Sequence, residues 1–156
     1  MALTYKRILA AVDGSKEAEW SLKKAIEIAL RNQSQIVIAH VLDNRTAASG
    51  ETFGSQAGDG AGWVIDMMEK YKAQALESGV LSVIIAVEYG SPKVKIPKEI
   101  AKEYDIDLII CGAAGHNLVE RFFMGSVSEH ITRHADCDVL VVRTPDDWKR
   151  QEAGSY

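Results

Sequence analysis

Glycine and serine residues that could hold a phosphate group are concentrated in one part of the sequence. Gly112 and Gly115 follow a short apolar run, and Gly125-Ser126 stand directly before a predicted helix. Glycine lets the main chain approach an anion closely, and the N–H groups at a helix N-terminus are donors for it. Ser126 would add a hydroxyl donor or cap the helix. Taken alone, the pattern is equally typical of a tight turn before a capped helix.

A carboxylate ends the first apolar run of the chain. Asp13 follows the run from Ile8 to Val12, and open α/β sheets bind their ligands at the carboxyl ends of such strands. Its oxygens would accept a hydrogen bond from a ligand hydroxyl or hold a water on a divalent cation. An Asx turn or a helix cap is the alternative role for Asp13.

Three histidines are further candidates for a binding site. His130 and His134 have the spacing of two metal ligands on one helix, but no third ligand is evident and HExxH is absent, so surface or capping roles are expected and no metal site is predicted. His40 lies inside an apolar run and is interpreted as a hydrogen-bonded interior residue.

The phosphate loop GxxxxGK[ST], the GxGxxG turn and the GxSxG elbow are absent from the sequence, and no catalytic residue is predicted.

Short apolar runs alternate with helical patterns along the chain. Strands are predicted over residues 8–12, 36–42, 83–87, 108–111 and 139–142. Helices are predicted after Ser15, around Val64 to Ala75, after Ser91-Pro92 and over residues 126–134. Pro97 should confine the third helix to residues 98–103 or make its start irregular. Alternation of this kind predicts an α/β fold, a single doubly wound domain with a five-stranded parallel sheet and helices on both faces. We expect the strand order 3-2-1-4-5.

The chain of 156 residues has the usual length of one domain, which we assign to residues 1–145. Within it, residues 43–62 contain five glycines and almost no large apolar side chains, so we expect a mobile loop there. Residues 146–156 lack a core pattern, and we expect a flexible tail.

Charge and cysteine content limit the classes of partner. A net charge of −4 argues against binding to nucleic acid or to an anionic membrane. The apolar run near the N-terminus is too short for a signal peptide, and no stretch reaches the length of a membrane span. Cys111 and Cys137 adjoin apolar runs, which is typical of reduced, buried thiols. We therefore expect a soluble cytoplasmic protein.

The spacing Gly112-x2-Gly115-x9-Gly125-Ser126 resembles the nucleotide-binding signature of the universal stress protein family. Further likeness lies in residues 7–15, 90–92, 125–131 and 133–143, so the resemblance covers essentially residues 5–144. It implies binding of ATP, alone or with Mg²⁺ or Mn²⁺, by a nucleotide-dependent regulatory or stress-response protein.

The resemblance also implies a role for individual residues. Asp13 would contact the nucleotide near its ribose or its metal, and Val41 would present backbone groups to adenine. Ribose and phosphates would be cradled by Gly112, Gly115, Gly125, Ser126 and Val127. Ala114 departs from the family pattern, since many members have a basic or imidazole side chain there. The missing cation leaves the choice among ATP, ADP and AMP open.

Three functions are compatible with these features. The first is an ATP-binding regulatory protein read by an unidentified protein partner, and the second is an interaction module of the same fold that does not bind nucleotide. The third is a slow ATPase, although no base or arginine finger is assigned. Residues 138–144 predict a flat apolar edge strand, which is suited to pairing with another strand. The resemblance implies that two copies pair through this strand, so we expect a homodimer.

Overall fold

The sheet is the central element of the computed structural model, which describes residues 3–43, 62–113 and 124–150, without the side chains of the last two. Its strands are Arg7–Ala11 (β1), Gln35–Leu42 (β2), Val83–Tyr89 (β3), Leu108–Gly112 (β4) and Asp138–Val142 (β5). All neighbouring strands are parallel, and their order is β3-β2-β1-β4-β5. The predicted fold class and strand order are therefore confirmed.

The helices cover both faces of this sheet. They are Lys16–Asn32 (α1), Gly62–Glu77 (α2), a composite helix from Pro92 to Glu103 (α3), Ser126–His134 (α4) and Asp146–Arg150 (α5). Apolar side chains of α1 and α2 pack in one buried cluster, and those of α3 and α4 pack in another on the opposite face. The central strands are buried on both sides, which is why their sequences are apolar without alternation.

Helix α3 follows the predicted irregularity at Pro97 but begins earlier than residue 98. It has α-helical turns at Pro92–Val94 and Ala101–Glu103 and a π-helical segment at Lys95–Ile100 between them. Proline has no N–H to donate to the preceding turn, so the helix must depart from regular geometry there. The side chain of Pro97 is nevertheless buried, and the helix continues through it.

Part of the segment that we expected to be a flexible tail is the helix α5. Its Trp148 ring lies 5.2 Å from the ring of Trp20 in α1, and Trp148 Nε1 donates to the carbonyl of Lys16 at 3.3 Å. Lys23 Nζ lies 4.9 Å from the same ring. These contacts stabilise α5 against α1, whereas residues 44–61, 114–123 and 151–156, which include most of the predicted loop and the end of the tail, lie outside the described residues.

Within the described ranges, no helix combines the length and the hydropathy that a bilayer crossing requires.

The apolar face of α1 should contribute a large share of stability. Leu22 is fully buried against the sheet, so Leu22→Ala should lower the free energy of unfolding by about 2–5 kcal/mol through lost burial and a cavity. Leu81 is 93% exposed, so the matched change Leu81→Ala should alter it by less than about 0.5 kcal/mol. Urea denaturation of both variants measures the difference. Equal effects would contradict the packing of α1.

Cys111 and Cys137 are free thiols; Cys111 is buried, as the sequence predicted, whereas Cys137 is only half-buried. Burial raises the pKa of Cys111 to about 12. The thiolate is the reactive form, so at about pH 8 the Cys111 thiol should resist iodoacetamide in the folded protein and react after unfolding. Peptide mapping by mass spectrometry would measure this. Labelling of Cys111 at the same rate in both states would show that β4 is not buried as described.

Candidate functional site

The turn after β1 brings Asp13 to the carboxyl end of the sheet, where the sequence predicted a ligand contact. Asp13 Oδ1 accepts a hydrogen bond from the backbone N–H of Ser15 at 2.9 Å, so the alternative role as an Asx turn is present. Gly14 between them has φ of +84°, a conformation that favours glycine. A carboxylate has several lone pairs, so an Asx turn leaves acceptor capacity for a ligand.

Ser15 completes this turn as the N-cap of α1. Its hydroxyl accepts a hydrogen bond from the N–H of Ala18 at 3.1 Å. The cap and the Asx turn fix the backbone between β1 and α1, so local hydrogen bonds help to set the position of Asp13.

Val41 lies near the end of β2, with only 7% of its surface exposed. Its side chain belongs to the buried cluster on the face of α3 and α4. The side chain is therefore occupied by core packing, and only the main-chain groups of Val41 are suited to contact a ligand.

The ends of β4 and β5 are tied directly to the start of α4. The N–H of Ala113, which follows Gly112, donates to the carbonyl of Val142 at 2.9 Å, and the N–H of Gly125 donates to the carbonyl of Ala113 at 2.6 Å. The two glycines separated by twelve residues in the signature are thus brought together, as a site for one ligand requires.

Ser128 reinforces this junction, a role that the sequence analysis missed. Its buried hydroxyl lies 3.0 Å from the carbonyl oxygens of both Ala113 and Gly125. Serine in the first turn of a helix commonly makes such a local bond, but its contact with Ala113 depends on the fold.

The first turn of α4 presents the groups that the signature assigns to phosphate. Gly125 is the N-cap and makes no side-chain cap bond, and Ser126 is the first helical residue and is exposed. Ser126 is therefore not the cap, and it stands in the first helical turn, whose N-terminal N–H groups favour an anion. Val127 packs partly against the core, which leaves its backbone for a ligand. Gly115 lies outside the described residues.

The environment of Tyr71 in α2 includes the carboxylate of Asp13, which affects the pKa of the phenol. Burial, followed by the charges of Glu19 and Asp13, raises the pKa of Tyr71 to about 12. The phenol therefore stays neutral at physiological pH, and the negative charge on this side of the turn comes from the carboxylates.

The two histidines of α4 stack on each other, with ring centroids 4.1 Å apart. Across residues 3–43, 62–113 and 124–150, no group of three His, Cys, Asp or Glu side chains is arranged to hold a metal ion. A shallow depression of about 280 Å³ lies at the opposite, amino end of the strands, away from the residues that the signature selects. It is lined by Lys6, Arg7, Gln33, Ser34, Gln35, Leu81 and Ser82.

Comparison with known proteins agrees with the resemblance read from the sequence. The universal stress protein family model matches residues 4–143. A putative universal stress protein of Staphylococcus saprophyticus is 48% identical over 155 residues, which are 97% of this chain and 93% of the relative. A putative universal stress protein of Staphylococcus haemolyticus is 47% identical and has similar coverage.

Solved structures show the same architecture. The universal stress protein UspA from Lactobacillus plantarum has a TM-score of 0.76 at 28% identity and covers 91% of this chain and 100% of its own. A universal stress protein in complex with cAMP has a TM-score of 0.68 at 21% identity and covers 92% of this chain and 100% of its own, a likeness that shows the fold alone. From the family match, the identities and the shared topology, the chain belongs to the universal stress protein family.

Proposed function

We propose that this chain binds ATP at the carboxyl end of its sheet and acts as a nucleotide-dependent regulatory protein in a stress response. The observation that carries the proposal is the hydrogen bond between the N–H of Gly125 and the carbonyl of Ala113. It holds the N-terminus of α4 beside the end of β4, which is where open α/β folds bind nucleotides.

Each residue at this edge has a role in the proposal. The exposed Ser126 hydroxyl and the N–H groups of the first turn of α4 would receive the phosphates, because the helix dipole and the free donors favour an anion. Asp13 would contact the ribose hydroxyls, and the main chain of Val41 would contact the base. The cAMP in the distant relative is an adenine nucleotide, so adenine nucleotides are the first ligands to test.

A divalent cation fits this residue set as a companion of the nucleotide. Mg²⁺ prefers oxygen ligands and retains several waters, so one carboxylate and the phosphates would suffice to hold it. The Asp13 carboxylate is half-buried at the strand end, and it would supply that oxygen directly or through a water. The cation would neutralise part of the phosphate charge. In many family members a basic side chain at position 114 could do this, but this chain has Ala114 there.

We favour regulation over turnover because the signature assigns no base to orient an attacking water and no arginine finger to stabilise the charge that develops on the γ-phosphate. Occupancy of the site would instead alter the surface that a protein partner reads. The proposal places the protein in the cytoplasm, where ATP is abundant and thiols such as Cys111 stay reduced.

Calorimetric titration with ATP, ADP and AMP in the presence of Mg²⁺ tests nucleotide binding on protein stripped of bound nucleotide. The wild type should show saturable binding, and Gly115→Val should weaken it at least about tenfold, because a side chain would block the approach of the backbone to phosphate. Leu81→Ala, at an exposed position near the amino ends of the strands, is the control and should bind like the wild type.

Asp13→Asn separates the two roles of this residue. Asparagine keeps an oxygen for the Ser15 N–H, so the turn should persist, but it removes the charge that would attract a cation. We expect ATP affinity in Mg²⁺ to fall while thermal stability without nucleotide is retained. If the wild type binds no nucleotide and its melting temperature is unchanged by ATP, the interaction-module function replaces this proposal.

We also propose that the chain forms a homodimer through β5. This strand is at the edge of the sheet, and its Leu140 is 36% exposed. The carbonyl of Val142 faces β4, since it accepts from Ala113. Backbone groups alternate in direction along a strand, so the N–H and carbonyl of Val141 point outward, where a second copy could pair with them.

Val141→Pro tests this dimer, because it removes an outward N–H without removing a donor to β4. Analytical ultracentrifugation should show a dimer for the wild type and a monomer for Val141→Pro, with native circular dichroism. Val141→Thr keeps the N–H and the branched shape, so it should remain dimeric. A Val141→Pro variant that is folded and still dimeric would exclude this edge as the interface.

A further inference from the structure

The backbone ladder between β1 and β2 follows a strict alternation. The N–H of Gln35 donates to the carbonyl of Lys6 at 2.9 Å, and at the other end the N–H of Val12 donates to the carbonyl of Ala39 at 2.9 Å. The register pairs Arg7 with Gln35 and proceeds residue by residue to Ala11 and Ala39. Odd-numbered residues of β2 therefore direct their backbone groups toward β1.

By this alternation the next donor is the N–H of Val41, and the next acceptor is the carbonyl of Val12. Within the described part of the chain, no backbone hydrogen bond joins these two residues. The Val12 carbonyl instead lies 2.8 Å from Nδ1 of His40. A side-chain donor thus contacts the carbonyl to which the ladder geometry assigns the Val41 N–H.

The imidazole of His40 is fixed from several directions. A carbonyl oxygen only accepts, so Nδ1 must carry the proton in this contact. The residue is only 7% exposed, and its ring meets the ring of Trp63 edge-on at 6.2 Å. Its backbone is held from the other side, because β2 and β3 pair His40 with Val87 and the N–H of Gly90 donates to the carbonyl of Leu42.

We infer that His40 is a positioning residue that holds the Val12 carbonyl and thereby keeps the N–H and carbonyl of Val41 available for the base of a nucleotide. A nucleotide base whose edge carries one acceptor next to one donor can form two hydrogen bonds with the backbone N–H and carbonyl of a single residue. The same contact holds the end of β1 just before Asp13. This inference rests on the proposed nucleotide function.

Substitutions at His40 separate the donor from the space that it fills. His40→Asn keeps an N–H on an atom bonded to Cγ, as Nδ1 is, whereas His40→Leu fills a similar volume without a donor. Ile36→Val is the control, since Ile36 is fully buried in the same strand and in the cluster on the same face, but lies at the amino end. Urea denaturation should show that all three variants are folded.

Titration with ATP and Mg²⁺ provides the first measurement. His40→Leu should weaken binding about tenfold, the effect of losing roughly one hydrogen bond to the base. His40→Asn should bind within about threefold of the wild type, since it retains the donor, and Ile36→Val should bind as tightly as the wild type. Wild-type affinity in a folded His40→Leu variant would overturn the inference.

Amide hydrogen exchange of the nucleotide-free protein, followed by NMR, provides the second measurement. The Val41 amide should exchange much faster than the Ala39 amide in the wild type and in His40→Asn, and it should become protected in His40→Leu, where Val41 can donate to the freed Val12 carbonyl. Equal protection of Val41 and Ala39 in the wild type would overturn the inference. If the wild type binds no nucleotide, the proposed function fails, while the exchange result still decides the role of His40.

Discussion

The parallel pairing of β1 with β2 stops at Val12, and the candidate site depends on how the chain satisfies its backbone groups beyond this point. Buried N–H and carbonyl groups need partners. Gly14 turns the chain away with φ of +84°, the Asp13 carboxylate accepts from Ser15, and His40 takes the Val12 carbonyl. These three local contacts define the backbone at the carboxyl end of β1, where the proposed nucleotide would bind.

The other half of this edge is formed by the junction of β4, β5 and α4. Hydrogen bonds run from the N–H of Ala113 to the carbonyl of Val142 and from the N–H of Gly125 to the carbonyl of Ala113. The buried Ser128 hydroxyl contacts the carbonyls of Gly125 and Ala113. Since these bonds fix the backbone, the first turn of α4 has a defined direction. A helix dipole acts strongly only over its first turn, so this direction would decide where the proposed phosphate is stabilised.

Membership of the universal stress protein family gives the fold, whereas a fold hosts many functions. The family match spans residues 4–143, which include every residue of the proposed nucleotide site. Outside the sheet itself, this chain carries the contact of His40 with Trp63 and the helix that Trp148 packs against α1. With Ala114, these features would bear on affinity and on the surface around the proposed site.

The sequence by itself determined the strands, the helices on both faces and the family, because strands buried on both faces must be apolar along their length and the glycine signature is local. The strand ends predicted from the sequence are correct to within two residues. For example, the prediction ends β3 at Val87, and the strand ends at Tyr89. Only the tertiary structure decided the contacts between distant residues. His40 meets Val12 across 28 positions and Trp148 meets Lys16 across 132. Neither contact follows from a local pattern, since each depends on which strand or helix the fold places alongside.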